Sequence, residues 1–183
     1  MKDWEAMIAS VGTDFGGEAQ VAIDRIELGA VRKFCEPVEM DCPLFYDEVV
    51  ARAHGYDGIP APISGISQTW LETGTWAPGR ATPWPAPERD AMPQRSPAAG
   101  GKPLPQPPTS AAFATDIEIE YHTPAYVGDR LTSSGNRLVS CVPKETSVGR
   151  GAFMIFESYV HNQRQELVAT VRRGLYQYQP HSR

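Results

Sequence analysis

The chain has 183 residues, and 17 Lys+Arg against 22 Asp+Glu leave a formal charge of −5 at pH 7. With 41% apolar and 21% charged residues it has an ordinary globular composition, at a length that suits one domain. No apolar run approaches the roughly 20 residues of a membrane span, and a mildly acidic chain without a basic block is a poor partner for nucleic acid.

The start, Met1-Lys2-Asp3-Trp4-Glu5, lacks the long apolar stretch of a signal peptide. Cys35, Cys42 and Cys141 form no CxxC pair, so they read as reduced thiols of a cytoplasmic protein and not as metal ligands.

In chain order, Pro43 is well placed to open a short helix, and Asp47 to Ala53 carries acids early and Arg52 late, as the helix dipole favours. Gly55 ends it. A second helix is expected from about Ile63 through Leu71, because Ile63, Ile66, Trp70 and Leu71 are spaced to share one face. Twelve of the 17 prolines then fall between Pro60 and Pro108, ten of them within 74–108. Neither helix nor sheet survives that density, since each proline removes an N–H donor and restricts the residue before it. Two readings stand open for 74–108: a surface loop, or an insertion folded back so that Trp76 and Trp84 cover an apolar groove or a partner subunit.

Beyond the prolines, Ala114 to His122 alternates apolar with polar residues and reads as a half-buried strand. Arg130 to Cys141, Ala152 to His161 and Leu167 to Tyr178 give three more, joined by short turns into an antiparallel meander. The class is α+β.

Local text then carries a resemblance. Phe34-Cys35-Glu36-Pro37-Val38-Glu39-Met40-Asp41-Cys42-Pro43-Leu44-Phe45-Tyr46-Asp47 resembles the active-site segment of MaoC-like hydratases, whose pattern runs roughly Y/F-x(4)-G-D-x-N-P-L-H-x-D. Ala51 to Pro62 resembles the stretch that follows it in the branch related to fatty-acid-synthase dehydratase domains. Tyr121-His122-Thr123-Pro124 through Gly128-Asp129 is similar to that branch's entry to the meander. The likeness spans about Val21 to Tyr178. It implies a single hot-dog domain over 1–183, an antiparallel sheet wrapped around a central helix, with 74–108 as an insertion.

Adding water across an enoyl thioester needs a carboxylate to deprotonate the water and a His to manage the proton at the α-carbon. Backbone N–H groups stabilise the thioester oxygen, a role open to Ile63. Aligning on Pro43-Leu44 and Asp47 puts Met40 at the family's Asp, Phe45 at its His, Glu39 at its Gly and Cys42 at its Asn. Neither Met40 nor Phe45 can move a proton. A one-residue shift would instead pair Asp41 with Tyr46 as an alternative dyad, and His54 or His122 could fold into the site. For His54, beside Gly55, capping of the helix end is the competing reading.

The resemblance therefore implies a subunit of a MaoC-like enoyl-CoA hydratase that lacks its own Asp/His dyad. It would form the acyl tunnel in a heterodimer or heterotetramer with a catalytic MaoC-like partner. Phe45, Tyr46, Ile63, Trp70 and Trp76 would supply the wall for a bulky, steroid-like or long-chain acyl-CoA, with core packing as the competing reading for Ile63 and Trp70. No cofactor is implied, coenzyme A entering as the substrate's thioester. The alternatives are a self-sufficient hydratase using Asp41, a non-enzymatic acyl-thioester-binding homodimer, and a thioesterase using Glu72.

Phosphates of coenzyme A need cations, and Arg32-Lys33, Arg130, Arg137, Lys144, Arg150 and Arg172-Arg173 are candidates. Because Arg172 and Arg173 are consecutive in a strand, they should face opposite sides, and at most one can line a given site. No GxxxxGK[ST], GxGxxG or GxSxG is present.

Overall fold

The four expected strands are observed, but only the last three run as a meander. The strand Ala111–Tyr121 does not pair with the next in sequence and lies instead at the sheet edge beside the last, Leu167–Pro180. In the computed structural model, which describes residues 4–67, 69–71, 78–79, 81–82, 84 and 101–181, the helices are α1 (Glu5–Ala9), α2 (Leu28–Cys35) and α3 (Glu48–Ala53). The strands are β1 (Gln20–Val21), β2 (Ala111–Tyr121), β3 (Thr132–Thr146), β4 (Gly149–His161) and β5 (Leu167–Pro180). They form one antiparallel sheet in the order β1-β3-β4-β5-β2. Register shifts between Ala114 and Ile117 in β2, and between Ser134 and Ser140 in β3, bend the long strands.

Alternation along β4 shows how the sheet is used. Ala152, Met154, Phe156, Ser158 and Val160 are all buried and share one face, the core face, because side chains alternate along a strand. Two apolar clusters cover this face. The first joins Val31 and Cys35 of α2 to Ile66, Trp70, Leu131, Val160 and Val171. The second joins Trp4 and Met7 of the α1 region to Phe15, Leu138, Met154 and Phe156.

The sequence reading passes over α2. Its inward stripe is Ala30, Val31, Phe34 and Cys35, spaced one helical turn apart, and Arg32 and Lys33 lie in its last turn.

The helix expected from Ile63 through Leu71 is instead two 3-10 turns, Ile63–Gly65 and Thr69–Leu71. Ser64, Gly65, Ser67 and Thr69 are weak helix formers. Tertiary contacts decide the rest. The Pro62 carbonyl accepts from Gly65 N at 3.1 Å and from Trp70 Nε1 at 2.9 Å, so it is spent on a tighter turn and an indole. The indole lies across Gly65, where a β-carbon would sit 2.4 Å from Nε1.

The insertion expected over 74–108 falls largely outside the described residues, and Trp76 lies wholly outside them. Trp84 is 52% exposed. Its last part, 101–108, returns to the domain: Lys102 N donates to Phe15 O at 3.2 Å, and Leu104 packs against the second cluster. Among the described residues no helix is long and apolar enough to cross a membrane.

Candidate active site

Two turns build the segment that aligns with a catalytic loop. α2 runs on into a 3-10 turn, Glu36–Val38, which stops at Glu39 in the left-handed region (φ 48°, ψ 39°). This is the position aligned with the family's Gly, so the backbone keeps a glycine conformation although a glutamate occupies it. Met40 N then donates to Cys35 O at 3.1 Å, turning the chain back over the end of α2.

Pro43 opens a 3-10 turn, Pro43–Phe45, and not the helix itself. The helix is α3, capped by Asp47, whose carboxylate accepts from Val49 N at 2.8 Å and Val50 N at 3.3 Å.

Met40 and Phe45 are both half-buried and pack against the first core cluster. Asp41 is exposed. Tyr46 is 39% exposed, and its hydroxyl donates to Met40 O at 2.8 Å. Partial desolvation pushes this phenol above its ordinary pKa, with the Cys35 thiol and the Asp41 carboxylate adding to the rise. Asp41 and Tyr46 thus share a neighbourhood, but the shift makes Tyr46 a weaker acid, not a readier proton donor.

The histidines settle elsewhere. His54 Nδ1 lies 2.8 Å from Val50 O at the end of α3, in the capping role. His122 Nε2 lies 3.1 Å from Thr170 Oγ1.

Ile63 is 58% exposed, and it opens its turn, where a first N–H has no acceptor within the turn itself. Its carbonyl accepts from the Tyr121 hydroxyl at 3.0 Å, which ties β2 to this turn. Sequence reasoning missed Tyr121, and nothing in its spacing signals the contact. Trp70 is buried at 4% exposure and stacks obliquely on Phe34, with ring centroids 5.3 Å apart. It is a core residue on one side. On the other it borders a cavity of about 260 Å³, with Ile23, Arg25, Ile26, Ala30 and Thr69. Trp76 and Glu72 lie outside the described residues.

The cations separate by partner. Arg130 donates to Ala22 O and Ile23 O, a structural clasp. Arg150 pairs with Glu145, and Lys144 sits 5.9 Å from the Phe153 ring centre. Arg172 is held among Glu157, Glu118 and Glu120. Arg173 lies on the other face of β5 and donates to Ser158 Oγ at 2.8 Å.

Comparison with known proteins adds the family. Residues 9–171 match the FAS1-like dehydratase domain region. A probable enoyl-CoA hydratase alpha subunit from Thermomonospora curvata is 31% identical over 167 residues, which cover 90% of this chain and 48% of that protein. This chain therefore spans about half the length of that relative.

Among solved structures, the ChsH1-ChsH2 complex from Mycobacterium tuberculosis superposes with a TM-score of 0.69 at 21% identity, covering 98% of each chain. The MaoC-like dehydratase from Rhodospirillum rubrum superposes at 0.54 and 17% identity, covering 94% of each. At such identities the likeness establishes the fold, and the curled antiparallel sheet is a hot-dog sheet.

Proposed function

We propose that this chain, which belongs to the MaoC-like hydratase family through its FAS1-like dehydratase region, is one subunit of a heteromeric enoyl-CoA hydratase. The observation that carries this reading is the placement of Met40 and Phe45. At the positions aligned with the family's proton-transfer pair stand a thioether and a phenyl ring, both turned into the apolar core cluster. Neither can take a proton from water or deliver one to carbon. The carboxylate and imidazole then come from a MaoC-like partner subunit.

This chain contributes shape. Phe45, Tyr46 and Ile63 lie on or beside the aligned loop, and the last two keep apolar surface open, at 39% and 58% exposure. That surface suits a bulky acyl group, steroid-like or long-chain, carried as a coenzyme A thioester. Support comes from the curated relative, a probable enoyl-CoA hydratase alpha subunit, and from the likeness to a chain of the ChsH1-ChsH2 complex.

Hydration of a 2-enoyl-CoA, followed as loss of the conjugated thioester's absorbance, tests the assignment. The purified chain alone is expected to give no turnover. Addition of a MaoC-like partner with an intact Asp/His motif is expected to produce it, faster on bulky than on short acyl groups. Robust turnover by the chain alone would overturn the proposal.

A further inference from the structure

Between the two apolar clusters the core face of the sheet carries a polar gap. Phe156 is paired with Arg173 and Ser158 with Val171, so Arg173 and Ser158 project to the core face beside residues of both clusters. Over them opens a cavity of about 590 Å³, within the range that holds small ligands. Its wall includes Ser134, Asn136, Ser158, Arg173 and Lys102, with Gly16 and Gly17 beside them.

Arg173 is placed unlike its neighbour. Arg172 meets three carboxylates, whereas the one hydrogen bond of Arg173 among the described residues goes to Ser158 Oγ. Ser158 is buried at 4% exposure, and a hydroxyl that accepts from a guanidinium keeps its own proton to donate. Desolvation is the cause that lowers the Arg173 pKa. The Arg173 side chain stays exposed on its cavity side and has no carboxylate partner among the described residues, and a planar guanidinium presents paired donors matched to an oxyanion. Lys102 adds a second positive charge at the wall, its Nζ 3.2 Å from Asp14 O, and among the described residues Glu18 is the one carboxylate side chain lining the cavity.

We infer that Arg173, seated by Ser158 and flanked by Lys102, anchors a binding site for an oxyanion group of a ligand, a carboxylate or a phosphate. The guanidinium and the Ser158 hydroxyl donate to the oxyanion, and Phe15 and Pro103 offer the apolar wall beside it. The site is separate from the Met40–Phe45 loop, and its test needs neither partner nor turnover, so it stands or falls independently of the hydratase assignment.

The test is calorimetric titration of the full chain with adipate, as a carboxylate probe, and with coenzyme A, as a phosphate probe. Wild type is expected to bind at least one, and Arg173→Gln to weaken that binding by about tenfold or more, with Arg173→Lys in between. Loss confined to adipate identifies a carboxylate-bearing ligand; loss confined to coenzyme A identifies a phosphate; loss in both supports a shared oxyanion seat. Equal affinities of wild type and a folded Arg173→Gln, or no binding of either probe by wild type, would overturn the inference. If Arg173→Gln does not fold, Ser158→Ala makes the comparison by unseating the guanidinium while keeping its charge, and unchanged affinity there overturns it equally.

Discussion

Arg172 and Arg173 are consecutive on β5, yet their guanidinium groups end on opposite faces of the sheet in opposite electrostatic settings. Arg172 Nε lies 2.8 Å from Glu157 Oε2 and Nη1 lies 2.9 Å from Glu118 Oε1, with Glu120 close behind. Arg173 faces the core side and meets a neutral hydroxyl. The pleat separates them. Cross-strand register then decides what each one meets.

Glu157 makes the outer cluster sensitive to acid. Its carboxyl is held below the ordinary value of 4.5, first by the hydrogen bond from the Tyr159 hydroxyl and next by Arg172. A depressed folded pKa contributes stability that is present above the unfolded value and is lost as pH falls through the folded one. Thermal melts of wild type and Glu157→Gln from neutral pH to about pH 2 check this. The variant is expected to melt lower at neutral pH and to converge with wild type in acid.

Glu39 carries left-handed backbone at φ 48°. An L side chain there costs roughly 1–2 kcal/mol, part of which glycine returns through its greater freedom in the unfolded chain. Glu39→Gly is therefore expected to raise stability by about 0.5–1 kcal/mol, a gain of about 1–4 °C in Tm for a chain of this size, read by thermal melting.

Gly65 has the Trp70 indole across it, and a β-carbon would lie 2.4 Å from Nε1. Gly65→Ala must displace the ring and stretch its bond to Pro62 O. A loss of about 1–3 kcal/mol is expected, with a red shift of tryptophan emission as the indole meets water. An unaltered denaturation midpoint would count against this packing.

Asp47 caps α3 through two backbone N–H groups, and α3 is only six residues long. Removing the carboxylate in Asp47→Ala should cost about 1 kcal/mol in urea denaturation. Asp47→Ser should recover most of it.

Much of the site segment was legible in sequence because it is written in local chemistry. The short helix ending near Ala53 was readable from its early acids and late Arg52, and the capping role of His54 from its place at the helix end. Pro43, however, opens a separate turn, and Asp47 stands as the cap and not inside the helix. Tyr121 could not be read this way. Its partner, the Ile63 carbonyl, lies far along the chain and is reached by folding β2 over the turn. Trp70 was legible as apolar but not as the residue that tightens its own segment, since that depends on where Pro62 and Gly65 sit in space.

By itself, the sequence determined the four long strands, through period-two alternation and the polar turns between them, and it determined that Arg172 and Arg173 must part. It also determined the replacement of an Asp and a His by Met40 and Phe45, which is a matter of residue identity. The tertiary structure alone decided that α2 lies against the core face, that Ile63–Leu71 is two turns, and that Glu39 keeps a glycine's backbone. It also decided which arginine of the pair is neutralised. Periodicity and propensity act over a few residues, whereas register and burial come from segments far apart in the chain, and only their packing assigns a charge to an acid or to an open cavity.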